Sequence, residues 1–516
     1  MIKLFRIKNF NKRYIVLFTI SFLFISLFIK TNTGGWNDKS RLATIESLVE
    51  NKTLIIDQSI FFNNTLDKVF INGHYYSDKP PLLSIFLFPI YLFIHNTFNL
   101  NLSNNTPPSN NFGNLNRNPF DYEFEQIDPK AFPSNKEYIR ATISKKCRDF
   151  YNSENKNSNS KLRYYFLPEK IEITLYLLLL LSNGFIFALI VVFISKLISL
   201  FVNDYKVNLI LTLFFTLGTY IFPYSLILNN HIYTTFLTLL LIYYLLLIKL
   251  KINESKIKWQ FLLIGIILGL IIAIEISPLI SMVPLVIIYL LSYKNYRRWS
   301  YVITFITGLL IPLSIHLAFN FYIAGDFKPI NMHPEFFNYP GTAFNKYNLS
   351  GVSFMHKSLS DFFYYTYDSF LGKRGLFLFC PTLLLCLFVA IHSMIKNQNQ
   401  NILKEKFLSL AIIVATSIQI ILFTNHHGGG CFSFRHLIFL TPLFLFLIIP
   451  ELANVYQNSK SSLMLLLKIS SAISIIFMFL AVYNPWASTN GILELFKGAL
   501  NSPLIDFIPI MHIFLL

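Results

Sequence analysis

Apolar runs that approach or exceed the ~18 residues needed to cross a bilayer recur along this chain, separated by short polar stretches. A first run, Tyr14 to Ile29, follows a basic stretch of Lys3, Arg6, Lys8, Lys12 and Arg13. It lacks a small-x-small cleavage site and is long for a signal sequence. It therefore reads as a retained signal-anchor helix with its N-terminus in the cytoplasm. Further runs predict spanning helices over Glu172–Ile194, Val207–Leu226, Ile232–Ile248, Phe261–Ile274, Pro278–Leu291 and Tyr301–Tyr322. Gly375–Ile395, Phe407–Phe423, His436–Glu451 and Ser462–Tyr483 complete about eleven. The expected fold is an all-α polytopic membrane protein.

The run Pro81 to Phe98 is short and interrupted by Pro89, so it either spans or lies in the interface. Charge bias decides. If it lies flat, Lys196, Lys206, Lys249, Lys251, Lys256, Lys258, Lys294, Arg297, Arg298, Lys396, Lys404 and Lys406 all fall on the cytoplasmic side with the N-terminus. The organisation that follows is a signal-anchor helix (1–30), an extracytoplasmic loop with juxtamembrane helices (31–98) and a polar extracytoplasmic insertion (99–170). Membrane helices (171–322), a second outer loop (323–373), more membrane helices (374–484) and an outer tail (485–516) complete it. Arg41 to Glu50 reads as an amphipathic helix, with Leu42, Ile45, Leu48 and Val49 on one side. The Asn-, Ser- and Pro-rich insertion shows no motif and is expected to be only partly ordered.

Composition agrees with a membrane location. The 516 residues are 54% hydrophobic and only 13% charged, about half the charged share of soluble domains. Mean hydropathy is +0.52. The net charge of +17 raises a nucleic-acid partner, but the basic residues sit in short clusters between apolar runs, not in a stripe with interleaved aromatics. No nucleic acid is expected. Cys147, Cys380, Cys386 and Cys431 have no metal or redox spacing, although Cys147 and Cys431 could pair outside the membrane.

Against this apolar background, acids and bases gather after the first helix. Trp36 to Glu50 reads W-N-D-K-S-R-L-A-T-I-E-S-L-V-E, and Thr65 to Leu83 reads T-L-D-K-V-F-I-N-G-H-Y-Y-S-D-K-P-P-L-L. Asp38 and Arg41 share a helical face. Asp78 and Lys79 precede Pro80 and Pro81, which favour extended geometry. A carboxylate beside cations could bind an anion and abstract a proton, though each charge alone is also what a solvated loop carries. On the expected topology Tyr224, Asn229, Asn230, His231, Glu275, Arg374, His426, His427 and Arg435 gather on the same outer face. Ionisable groups at membrane boundaries tend to mark function. His231 and Glu275 also suit helix caps, Arg374 and Arg435 suit interfacial anchors, and the adjacent His426 and His427 cannot share one helical face.

The blocks Asp38-Lys39-Ser40-Arg41-Leu42-Ala43 and Tyr76-Ser77-Asp78-Lys79-Pro80 resemble the first outer loop of the GT-C class of polyprenyl-phosphate-dependent glycosyltransferases. That class includes protein O-mannosyltransferases and lipid A aminoarabinose transferases. Gly218 to His231, Lys373-Arg374-Gly375-Leu376 with Cys380-Pro381, and His426 to Arg435 are similar to later elements of the class. Lys39 replaces the family's second acid, Leu42 its Tyr, and Asp78 stands where Glu is frequent.

The resemblance implies a GT-C-like bundle in the cell membrane, with its active site on the extracytoplasmic side. A lipid-linked sugar would be the donor, and the acceptor could be a protein, a lipid or a glycan. Asp38 would be the catalytic base, and Arg41, Lys79 and Arg435 would bind the donor phosphate. Asp78, His231 and Glu275 would serve a divalent metal or the substrate, with the loss of the second acid at Lys39 weakening the metal. A lipid-linked polysaccharide polymerase or ligase, or a polytopic transporter or flippase, are the alternatives; broken helices with charges at the bilayer midplane would mark a transporter.

Overall fold

A computed structural model describes residues 10–31, 33–98, 169–250, 256–293, 298–342, 344, 349, 355–396, 400–456, 462–487, 490–502 and 504–510. Almost all of the expected insertion at 99–170, including Cys147, lies outside them. The chain divides into two compact units. One comprises residues 35–178 and 319–352, the other residues 1–34, 179–318 and 353–516.

The smaller unit is built on two helices, α2 (Trp36–Glu50) and α3 (Pro81–Phe98), which follow α1 (Phe10–Ser26) in the chain. They run side by side in the same direction: Ser84 Oγ donates to the Arg41 carbonyl at 3.4 Å, and Glu50 lies 3.9 Å from His95 at the other end. α2 starts five residues before the expected amphipathic helix and is not amphipathic. Every residue from Ser40 to Ser47 is buried, polar ones included.

Between the two helices the chain forms a hairpin, β1 (Lys68–Ile71) paired antiparallel with β2 (His74–Ser77). Asn72 and Gly73, both at positive φ, make the turn that suits strand twist. Val69 and Ile71 point into a core with Leu54, Ile323, Ile330, Phe337 and Leu349, while Phe70 between them is exposed. The hairpin departs from the all-α expectation.

The larger unit is a helix bundle. Its elements are α4 (Glu169–Leu179, which begins in the smaller unit), a π-turn, α5 (Phe185–Ser199), α6 (Tyr205–Leu217), α7 (Ile221–Tyr224), α8 (His231–Lys249), α9 (Ile257–Ile274) and α10 (Pro278–Leu291). There follow α11 (Trp299–Ala324), α12 (Leu359–Phe370), α13 (Leu376–Phe379), α14 (Pro381–Ile395), α15 (Leu403–Phe423), α16 (Thr441–Tyr456), α17 (Ser462–Ala481), α18 (Ile492–Leu500) and α19 (Leu504–Phe507). Among the described residues, eight helices are long and apolar enough to cross a membrane, and α6, α10 and α14 are shorter apolar helices. The protein is therefore a mostly helical, multi-pass membrane protein. The expected single runs Val207–Leu226 and Gly375–Ile395 are each broken, the first after Leu217 and the second at Cys380-Pro381.

The apolar segment Arg435–Leu452, which contains most of α16, is 89% buried and forms the centre of its unit. α9 and α11 approach to backbone contact: a Cβ on Gly265 would stand 2.2 Å from the Phe305 carbonyl, and one on Gly308 2.3 Å from that of Leu262. Such small-residue contacts replace the hydrophobic drive that lipid does not supply. Two charges buried inside the bundle are partnered. Lys406, expected as a cytoplasmic loop charge, is fully buried and bridges to Glu451 of α16 and to Ser393. Glu405 accepts from Tyr289 at 2.7 Å and Tyr293 at 2.6 Å.

Removing one member of a buried pair strands the other charge, which costs about 3–5 kcal/mol, whereas replacing both can be neutral. Lys406→Met should therefore lower the thermal midpoint of the detergent-purified protein markedly, and Lys406→Met combined with Glu451→Leu should recover most of the loss.

Candidate functional site

In the smaller unit the two charged blocks, far apart in sequence, are brought into contact. Ser40 Oγ on α2 lies 2.6 Å from Ser77 Oγ at the end of β2 and also donates to the Asp67 carbonyl. Asp38 stands in the first turn of α2, where the helix dipole favours an anion. Its Oδ1 accepts from the N–H of Gly35 at 3.1 Å and of Lys39 at 2.9 Å. Asp38 is thus a cap as well as a candidate base. Arg41, only 1% exposed, donates from Nε to Asn37 at 3.2 Å.

Lys79 is held by two carboxylates, 2.9 Å from Asp67 and 2.8 Å from Asp78. Burial opposes its charge, but Asp67 and Asp78 outweigh it and hold the ammonium above its ordinary range. Burial also pushes the Asp78 carboxyl up to about 6, against the pull of Lys79 and, more weakly, of Arg41. Asp38, Arg41, Asp78 and Lys79 therefore share one unit. Asp67 went unassigned in the sequence reading. It directly precedes β1, whose Lys68 pairs with Ser77, so the hairpin sets Asp67 opposite Asp78. The Asn72-Gly73 turn was the signal that could have revealed it.

The larger unit holds the other candidates. Glu275 follows α9, and its carboxylate accepts from Asn230 at 3.1 Å and Thr234 at 3.3 Å, with His231 Nδ1 at 3.2 Å. It binds side chains at the start of α8 rather than capping the helix after it. Arg374 donates to the Cys431 carbonyl at 3.0 Å and to Asn490 at 3.2 Å. His427 lies 3.2 Å from Asp368; burial, with a smaller push from Arg374, lowers it to about 4 despite that carboxylate.

Arg435 differs from all of these. Its guanidinium lies over the Trp486 ring at 5.1 Å. Its other side is against Gly428, at φ +100°, where a Cβ would meet Arg435 Nε at 2.5 Å. Among the described residues no acceptor takes a hydrogen bond from its Nε, and the indole N–H of Trp486 and Nε2 of His436 are also buried without a partner. A held guanidinium with an unused Nε–H, in a cluster with an unpartnered indole N–H, has donors of the kind that suit an anion.

No metal fits what is described. No group of three His, Cys, Asp or Glu side chains is placed to hold one among the described residues, and the cation between Asp67 and Asp78 is Lys79. Compared with known protein families, curated proteins and solved structures, the chain finds no match.

Further along α2, Glu46 is 1% exposed and accepts from Ser59 and, at 3.2 Å, from the Ile60 N–H. Burial raises its carboxyl to about 7, and Glu50 adds to the rise. A raised carboxyl stabilises the fold while protonated. That contribution is complete below the unfolded value of 4.5 and is lost as pH climbs through about 7. Glu46→Gln should therefore melt higher than the wild type at pH 8, with the difference shrinking as melts are taken towards pH 4.5.

Proposed function

We propose that the protein is a GT-C-like glycosyltransferase that moves a sugar from a polyprenyl-phosphate donor to an acceptor hydroxyl at the outer face of the cell membrane. The observation that carries this reading is the Ser40–Ser77 contact at 2.6 Å, which unites the Asp38/Arg41 block with the Asp78/Lys79 block. Two stretches that resemble one family loop are thus in contact.

In the proposed step the acceptor oxygen forms a bond to the anomeric carbon as the bond from that carbon to the phosphate oxygen breaks. The acceptor proton passes to the Asp38 carboxylate, and the lipid phosphate leaves with the bonding pair. Arg41, next to that base, supplies the fixed positive charge that a developing phosphate needs. Lys79 is already neutralised by Asp67 and Asp78, so its role is to hold the cluster together as much as to attract an anion. Arg435 is assigned a phosphate-binding role on its Nε–H, unclaimed among the described residues. No step runs through a metal.

The parallel course of α2 and α3 supports the proposed topology. α2 carries Asp38, Lys39, Arg41, Glu46 and Glu50 and cannot cross a bilayer, so a helix laid along it belongs at the surface too. With α3 set aside, the seven other long apolar helices, the shorter α6, α10 and α14, and α1 supply the eleven spans of the proposed bundle.

Purified protein incubated with labelled polyprenyl-phosphate sugars should release label from the carrier, and Asp38→Asn should abolish that release without loss of folded protein. A carrier that keeps its label across the donor panel, or an Asp38→Asn variant with full activity, would overturn this assignment.

A further inference from the structure

Two short helices flank the loop 424–436, and among the described residues nothing covers their outer faces. α12 turns Tyr365 and Ser369 inward and leaves Leu359, Phe363, Tyr364 and Tyr367, with Leu371 just beyond its end, more than half exposed. Leu359, Phe363, Tyr367 and Leu371 are spaced four apart and make one stripe. α18 turns Leu495 and Ala499 inward and leaves Leu493 77% and Leu500 80% exposed. In water such a pair of faces would be a liability to aggregation.

Their position identifies what covers them. α12 is fastened to the end of α15, where Tyr365 Oη lies 3.0 Å from Thr424 Oγ1 and donates to the His426 carbonyl at 2.8 Å. Met355 N–H donates to the Leu422 carbonyl at 3.3 Å. α15 has 21 residues, a length of about 31 Å, which matches the ~30 Å hydrocarbon core. Its last residue therefore reaches the membrane boundary, and α12 docked there lies at headgroup depth. The lipid-facing stripe of α15 (Phe407, Val414, Ile418 and Phe423, all exposed) leads up to it.

α18 is placed likewise at the end of the 20-residue span α17, with the Phe477 and Phe496 rings 6.5 Å apart. Arg374 ties the two sites to one end of the bundle, since it donates to Cys431 in the loop and to Asn490 just before α18.

We propose that α12 and α18 are membrane-surface helices, with their apolar faces seated in the headgroup–acyl boundary of the bilayer on the side that carries the loop 424–436. Tyr364 and Tyr367 have the amphipathic rings that settle at that depth. Lys357, Asp361 and Glu494 lie at the polar margins, and Lys497, on the outer face with Leu493 and Leu500, has the long stem that carries its ammonium up to the headgroups. The inner face of α12 holds the loop through Tyr365 and Asp368, so the lipid surface sets the depth of that loop.

The test uses the full chain in nanodiscs of phosphatidylcholine and phosphatidylglycerol. Cys147 is replaced by Ser, the buried Cys380, Cys386 and Cys431 are left in place, and a nitroxide is attached at Tyr364→Cys or Leu493→Cys. Power saturation compares collision with oxygen, which enters lipid, against a nickel chelate, which stays in water. Both labels should give oxygen-to-nickel ratios several-fold above a Lys357→Cys label and close to an Ile418→Cys label on α15. Ratios like that of Lys357→Cys would overturn the proposal in favour of an aqueous face. Dipolar broadening between labels would overturn it in favour of contact with a second copy.

Discussion

Lys79 lies within 3 Å of both Asp67 and Asp78, and that double bridge is the contact on which the smaller unit depends. A buried ammonium without a partner is costly, and so is a buried carboxylate. The hairpin exists to bring the two acids together: its tight turn sets the register, the register sets Asp67 opposite Asp78, and Ser40 reaches across to Ser77 to lock α2 alongside. The candidate base and its neighbouring guanidinium are held by the same contacts, on a helix that no apolar stripe could have positioned.

The hydrophobic pattern made the bundle legible because lipid imposes a length and an exclusion of charge that few other solvents impose. The run Pro278–Leu291 folds with the expected limits, and those of Tyr301–Tyr322 and Ser462–Tyr483 shift by about two residues. The pattern was blind where a break costs little composition. Gly218-Thr219 and Cys380-Pro381 interrupt helices whose residues stay apolar on both sides. It also misjudged Lys406, since a charge near a helix end looks the same in sequence whether it faces water or a carboxylate on the next helix.

The candidate site was legible in part. The acids and bases of the first loop stood out against an apolar chain, and they do converge. Asp67 did not stand out, because its meaning comes from strand pairing across a turn and not from its neighbours in sequence. Arg374 and Arg435 looked alike as arginines beside glycines. The structure separates them: one donates to a carbonyl and an asparagine, while the other is pressed between Gly428 and Trp486 with its Nε–H unclaimed among the described residues.

The buried Lys406–Glu451 bridge also bears on how the chain enters the membrane. Lys406 stands in the first turn of α15, where an ammonium costs less to insert than the ~2.5–3.5 kcal/mol it costs at a helix centre, and its counter-ion is carried by a helix synthesised later. The burial of Lys406 is therefore completed only once α16 has been made, so the final packing of α15 waits on the helix that follows it in the chain.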